Sequence, residues 1–282
     1  MKKKVQLQVT LLEEKSKEMS DSINYAKRIQ LATLPRFDAI QAHFNQSFVL
    51  FEPKDVVASD FFWMEEYNGL IYFAVADCTG HGVPGAMMSV LCHGALDKAM
   101  KESNIPSPAE VLTLTRKYVI SQIATGEGHL INGMDVALCA FNKITGELQF
   151  SGAQNPLWIA SKRLIAHPNV LVNKLEFGLG YLHEIKGDKK PVGEFFASSS
   201  FTNHSIFLAE GDTIYIFSDG FPDQCGGRKG KKLENSLFKE LIGLVQDQDD
   251  LGKQKDFLSE YFINWKGDLE QVDDVCVMGI KL

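Results

Sequence analysis

Four aspartates each stand where a run of strand-forming residues meets a loop: Asp60 in VVASDFFW, Asp77 in IYFAVADCTGHGVPG, Asp219 in TIYIFSDGFPD and Asp273 in QVDDVCVMGI. Residues at strand ends can meet at one point although they lie far apart in the chain, and carboxylates gathered there cannot all stay ionised without a cation. The pattern therefore asks for a fold that brings several strand ends to one edge, and it marks a metal site. Oxygen donors suit magnesium or manganese, whereas zinc and copper favour imidazole or thiolate. No histidine or cysteine pair competes. Cys78, Cys92, Cys139, Cys225 and Cys276 show no C-x-x-C spacing, and an odd count without a disulfide framework fits a reducing compartment. A cytoplasmic location is the expectation.

Composition narrows the class further. A chain of 282 residues that is 45% hydrophobic with a net charge of −7 reads as an ordinary soluble protein with a substantial core. A nucleic-acid binder would usually carry a basic excess. Behind MKKK no apolar run follows, because Gln6, Gln8, Glu13 and Glu14 interrupt it, so no signal peptide is expected. The uncharged stretch from Cys78 to Leu96 contains glycines, histidines and a proline, which excludes a membrane span.

Residues 1–35 differ from the rest: they lack glycine, end on Pro35, and consist largely of helix formers. Val5, Val9, Leu12, Ser16, Met19, Ile23, Ala26, Gln30 and Thr33 fall on the a and d positions of a heptad, giving an apolar seam with polar breaks. The spacing predicts a helix of about thirty residues that stops before the proline. Two readings stand: a helix packed on its own domain, or a parallel coiled coil that makes a homodimer or links to an upstream sensor. The polar breaks suit a switchable contact.

From about residue 45 the pattern turns to strands in QSFVLFEP, DVVASDFFWMEE and LIYFAVAD, with Asn68-Gly69 marking a tight hairpin between the last two. A glycine-rich turn follows Asp77, and Pro84 opens a helix to about Lys101. Ser107 or Pro108 begins another helix to Ile123. Strands are expected at MDVALCAFN, ELQFSGA, LWIAS, RLIAH and through SIFLAEGDTIYIFSD, then a basic loop, helices near 234–247 and 250–264, and a last strand VCVMGIKL. Hairpin strands with helices grouped between them indicate an α+β layered domain, two antiparallel sheets flanked by helices. The simplest partition is a helical arm over 1–35 and one domain over 36–282.

In order along residues 45–282, DVVASDFFW, VADCTGHGVPGAMMS, NGMDVALCAFN, GAQNPLW, GDTIYIFSDGFPDQ and QVDDVCVMGIKL resemble the stage II sporulation protein E-like branch of the metal-dependent (PPM, type 2C) serine/threonine protein phosphatases. The resemblance implies an α-β-β-α sandwich holding two divalent cations, Mn2+ or Mg2+. By the same resemblance Asp77 bridges both ions, the main-chain carbonyl of Cys78 completes one shell, Asp219 and Asp273 serve the second ion, and Asp60 lies near the first. Asp274 corresponds to a position that supports the ligands. Trp63 stands in place of the second carboxylate of the common GDFYD form and Ala58 in place of a glycine, so the resemblance does not extend to a third metal site.

Two cations a few ångströms apart acidify a shared water and neutralise a phosphate monoester, so no serine or cysteine nucleophile and no phosphoenzyme are expected. His81 is the candidate general acid for the leaving oxygen; a histidine that only hydrogen-bonds within the turn is the competing reading. Loop capping is the competing reading for Asp219 and Asp273 taken singly. Lys189, Lys190 and the basic loop Arg228, Lys229, Lys231 and Lys232 are candidates for attracting a phosphoprotein, or simply solvated surface.

The resemblance implies a protein serine/threonine phosphatase in bacterial signalling, acting on a phosphorylated regulator such as a STAS-type anti-sigma-factor antagonist. A catalytically weak phosphatase-like scaffold that binds partners through its helical arm is the alternative. A hydrolase of small phosphate esters is a third reading, although no Walker-type loop supports nucleotide binding.

Overall fold

Period-two alternation decides how this chain layers, because each strand sends neighbouring side chains to opposite faces. In the computed structural model, residues 2–102, 106–123, 133–174, 180–193, 199–246 and 248–282 are described. The arm is α1 (Lys2–Thr33), followed by a short α2 (Phe37–His43), β1 (Gln46–Glu52), β2 (Phe61–Tyr67) and β3 (Leu70–Cys78). Two helices come next, α3 (Gly82–Glu102) and α4 (Pro108–Ile123), then β4 (Gly133–Asn142), β5 (Glu147–Ala153), β6 (Leu157–Ser161), β7 (Val170–Lys174), β8 (Tyr181–Ile185) and the two-residue β9 (Val192–Gly193). The chain closes with β10 (His204–Phe207), β11 (Thr213–Phe217), α5 (Gly220–Asp223), β12 (Cys225–Gly226), β13 (Lys231–Lys232), α6 (Glu234–Val245), α7 (Leu251–Lys266) and β14 (Val275–Lys281).

Two antiparallel sheets result, ordered β1-β14-β11-β6-β8-β7 and β10-β5-β4-β3-β2, with β9 added beside β4. Between them lies an apolar layer in which Ile71, Phe73 and Val75 of β3 and Ala137 and Cys139 of β4 face Ile214 and Ile216 of β11 and Met278 and Ile280 of β14. The alternate residues Tyr72, Ala74, Ala76 and Cys78 face α3 and α4 instead. On the opposite sheet, Trp158, Tyr215 and Phe217 pack against Phe238 of α6 and Phe262 of α7. The architecture is therefore the four-layer α-β-β-α sandwich expected from the sequence.

Local chemistry explains several boundaries. Asn68 and Gly69 both take positive φ, the conformation a type I′ hairpin turn needs. Ser107 and Glu110 form a reciprocal capping box, in which Ser107 N–H donates to the glutamate and Glu110 N–H donates to the serine hydroxyl. The expected strand RLIAH does not form. Ile165 turns into the core, and its N–H donates to His183 Nε2 at 3.0 Å rather than to a neighbouring strand. The strand expected from Asp55 begins only at Phe61, because residues 53–59 are held as a loop by side chains from elsewhere in the fold.

Along α1 the seam residues Val5, Val9, Leu12 and Met19 are exposed, and Gln30 is the buried residue of the helix. Near its C-terminal end α1 meets α3, where Gln30 donates to Ser89 Oγ at 2.8 Å. None of the five cysteines is in a disulfide. Among the described residues no helix is long and apolar enough to cross a membrane.

Candidate metal centre

Antiparallel pairing puts chain-distant strand ends side by side. Asp77, near the end of β3, stands directly opposite Asp135, near the start of β4. Both fall on the parity that faces the layer between the sheets, one step beyond Val75 and Ala137. Asp60 enters β2 at the same edge, since Phe61 pairs with Ala76. From the other sheet, Asp219 follows β11 and Asp273 precedes β14, and Phe217 pairs with Val277. Here the sheets leave a cleft of about 310 Å³ lined by Asp77, Cys78, Thr79, Gly80, His81, Asp135 and Asp273. The Cys78 side chain belongs to the helix-side core, so this residue meets the cleft with its main chain.

Electrostatics follow from that crowding. Burial first, then repulsion from Asp219 and Asp273, pushes the Asp77 carboxyl up to about 8. Asp135 is pushed up to about 6 by burial and by Asp219. Asp60 is 1% exposed, and burial together with the Asp77 charge holds it well above the ordinary carboxylate range. Asp273 is raised mainly by burial, with Lys54 and His81 acting in the opposite sense. Asp219 remains open to solvent at the rim, yet the surrounding protein and Asp223 raise it, and Lys232 opposes them. Such mutual repulsion is relieved by protonation or by a cation.

The Asp60 carboxyl carries the most direct sign of a missing charge partner. Its Oδ2 accepts from Ser218 Oγ at 2.5 Å, while its buried Oδ1 has no hydrogen-bond partner among the described residues. Oxygen donors alone, an excess of negative charge and an orphaned buried carboxylate oxygen fit a hard divalent cation. Among the described residues, no three histidine, cysteine or acidic side chains already close around a common ion-sized point.

A frame of long-range hydrogen bonds holds the segment that carries Asp60. Asp274, 2% exposed, accepts from Lys54 N at 2.7 Å, Ser59 N at 2.6 Å and Ser59 Oγ at 2.6 Å. On the other side, Gln30 of α1 donates to the Ala58 carbonyl and to Ser89 Oγ, and accepts from Ala58 N. Close backbone approach is needed at two glycines. A Cβ on Gly85 would come within 2.6 Å of the Gly80 carbonyl, and one on Gly220 would overlap the Asp274 carbonyl. Gly220 thereby lets the start of α5, with Asp219, lie against the Asp273–Asp274 segment.

The family model for stage II sporulation protein E (SpoIIE) matches residues 68–282. The chain belongs to the SpoIIE family. Its fold is that of the PP2C-type serine/threonine phosphatase domains. The SiaA-PP2C domain of Pseudomonas aeruginosa superposes with a TM-score of 0.81 at 28% identity, covering 95% of this chain and 98% of that one. The PP2C phosphatase domain of SpoIIE from Bacillus subtilis, with a fragment of its regulatory domain, gives 0.62 at 16% identity over 84% of this chain and 62% of that one. The RsbU and RsbW domains of a Mycobacterium tuberculosis protein give 0.59 at 18% identity over 84% and 60%. No curated protein matches.

In this SpoIIE-family domain the residues singled out from the sequence divide into groups. Asp77, Cys78, His81 and Asp273 line one cleft, Asp60 lies buried beside Asp77, and Asp219 stands at its edge. His81 is exposed, with Nδ1 3.6 Å from Asp55 Oδ2. Lys190 is buried and donates to Ser199 and Ser200, which removes it from any surface role. Asp135 escaped the sequence reading. NGMDVALCAFN also places an aspartate at a strand start, but only the pairing with Asp77 shows which face it shares.

Proposed function

We propose that this SpoIIE-family domain is a metal-dependent protein serine/threonine phosphatase, and the observation that carries the reading is the gathering of Asp60, Asp77, Asp135 and Asp273 at one cleft with Asp219 at its rim. Asp77 and the main chain of Cys78, with Asp60, Asp219 and Asp273, would hold two divalent ions, Mn2+ or Mg2+, and Asp135 adds a further carboxylate. When bound, such ions supply Lewis acidity, neutralising a phosphate monoester and making water acidic near neutral pH. The chain's own groups position the reactants. Carboxylates repel a phosphate dianion unless cations intervene, so the cleft selects for the loaded state.

The Thr79 hydroxyl at the cleft is tied to the main chain of Gly133, donating to its carbonyl and accepting from its N–H. The thiols of Cys78 and Cys276 are buried and held well above their ordinary pKa by desolvation, which leaves them neutral and unreactive. We infer that water, acidified by the bound ions, is the attacking group and that no phosphoenzyme forms. His81 is our candidate for protonating the leaving oxygen: it is exposed at the mouth of the cleft and only loosely tied to Asp55. A role confined to the turn would leave most activity in His81→Ala.

We place the enzyme in the cytoplasm, acting on a phosphorylated regulator, with a STAS-type anti-sigma-factor antagonist as the model substrate. Residues 1–35 are read as a regulatory arm and 36–282 as the phosphatase domain. The exposed seam of α1 supports pairing with a second copy or an upstream sensor, and the Gln30 contacts connect that arm to the segment bearing Asp60.

The deciding experiment measures manganese-dependent phosphate release from a phosphoserine peptide, a phosphoprotein and a nucleotide by wild type, Asp77→Asn and Asp219→Asn. The reading expects release from the protein substrates, lost in both variants. Wild type that binds a partner without turnover would favour the scaffold, and preferred release from the nucleotide would favour a small-ester hydrolase.

A further inference from the structure

Four cations crowd into one short hairpin of an otherwise acidic chain: Arg228, Lys229, Lys231 and Lys232, against a net charge of −7. All four are exposed. Lys232 pairs with Asp223 at 2.6 Å, whereas Arg228, Lys229 and Lys231 form no ion pair among the described residues. Unpaired cations on a loose loop would be ordinary solvated surface. This hairpin is not loose.

Its base is built into the fold. Gln224 is fully buried: its side chain donates to the Cys225 and Glu270 carbonyls and accepts from Val272 N, while its carbonyl accepts from Leu233 N and Trp265 Nε1. β12 and β13 pair as Cys225 with Lys232 and Gly226 with Lys231. A Cβ on Gly226 would overlap the Trp265 carbonyl, and one on Gly227 would meet the Trp265 ring at 3.0 Å. The same anchors set the hairpin beside the cleft. Gln224 follows the short helix that starts after Asp219, and its partner Val272 precedes Asp273. Lys232 lowers the Asp219 carboxyl's proton affinity from this side.

We infer that the hairpin 225–232 is a docking element for an acidic segment flanking the phosphorylated serine or threonine of a protein substrate. The inference rests on the phosphatase reading of the neighbouring cleft. A cleft full of carboxylates gives an acidic substrate no affinity of its own, and it repels the flanks of the phosphosite. A fixed array of unpaired cations at its edge offsets that repulsion and aligns the chain so that the phosphate enters the cleft. Extended polyanions such as nucleic acid or an anionic lipid surface fit less well, because they would press against the acidic cleft at the same time.

The test compares two fluorescently labelled phosphoserine peptides, one flanked by Asp and Glu and one by Asn and Gln, on the full chain and on Arg228→Gln/Lys229→Gln/Lys231→Gln. Lys232 is left intact because it pairs with Asp223. Two readouts are taken, phosphate release with manganese and binding by fluorescence anisotropy. Three exposed ion pairs should give a preference of about tenfold for the acidic peptide. That preference should vanish in the triple variant and shrink steeply with added salt. Equal affinity of wild type for both peptides, or a preference that survives the triple variant, overturns the proposal. Acidic preference in binding without any turnover keeps the hairpin and removes the phosphatase reading; turnover without preference does the reverse.

Discussion

Replacing Asp274 tests whether this carboxylate is the clamp that holds the Asp60 segment to the opposite sheet. It accepts three hydrogen bonds from residues more than 200 positions away, and it is almost fully buried. Leaving a buried donor unpaired costs about 1–3 kcal/mol. In Asp274→Ala the buried Ser59 N–H loses its partner outright, the partly buried Lys54 N–H can recruit water, and the Ser59 hydroxyl can rotate. The expected loss is therefore about 2–4 kcal/mol, a large share of the 5–15 kcal/mol typical of a domain. Asp274→Asn keeps one acceptor oxygen for Ser59 and sets an NH2 against Lys54 N–H, so its loss should be about 1–2 kcal/mol. Urea unfolding followed by tryptophan fluorescence gives both values. Calorimetry with manganese should show weakened binding in the same order, since Asp60 is carried by the released segment. Two variants within about 0.5 kcal/mol of wild type, or an asparagine as damaging as alanine, would refute the clamp.

Ser218→Ala frees the Asp60 carboxyl to rotate and should weaken manganese binding about tenfold by calorimetry, whereas Ser218→Thr keeps the hydroxyl and the affinity; equal binding by all three proteins would sink the idea. His183 is buried, its Nε2 accepting from Ile165 N–H, and desolvation lowers its pKa, so it stays neutral in the fold. The unfolded chain takes up that proton first, so the contribution of His183 to stability falls as pH drops below about 6.5, and His183→Gln should gain stability relative to wild type between pH 7.5 and 5.5 in parallel urea titrations. Deleting residues 1–35 should change the oligomeric state in analytical ultracentrifugation or the rate of phosphate release; a truncated chain unchanged in both would end the regulatory role of the arm.

The arm, the Asn68-Gly69 hairpin, the helices at α3, α4, α6 and α7 and most strands were legible in the sequence, because caps, turn residues and hydrophobic period act over a few positions. Asp60, Asp77, Asp219 and Asp273 stood out for the same reason, each being an acidic residue interrupting an apolar run. What only the tertiary structure decided depends on register across the sheets. Asp135 joins the cleft because it pairs with Asp77 from 58 positions away. Asp274 turns from the cleft to clamp residues 54 and 59, and Lys190 disappears beneath Ser199 and Ser200. RLIAH loses its strand to a histidine side chain on β8. Local patterns are written in neighbouring residues, whereas the sharing of a carboxylate, a proton or a pocket among distant ones is settled by which strand ends the folded sheets bring into reach.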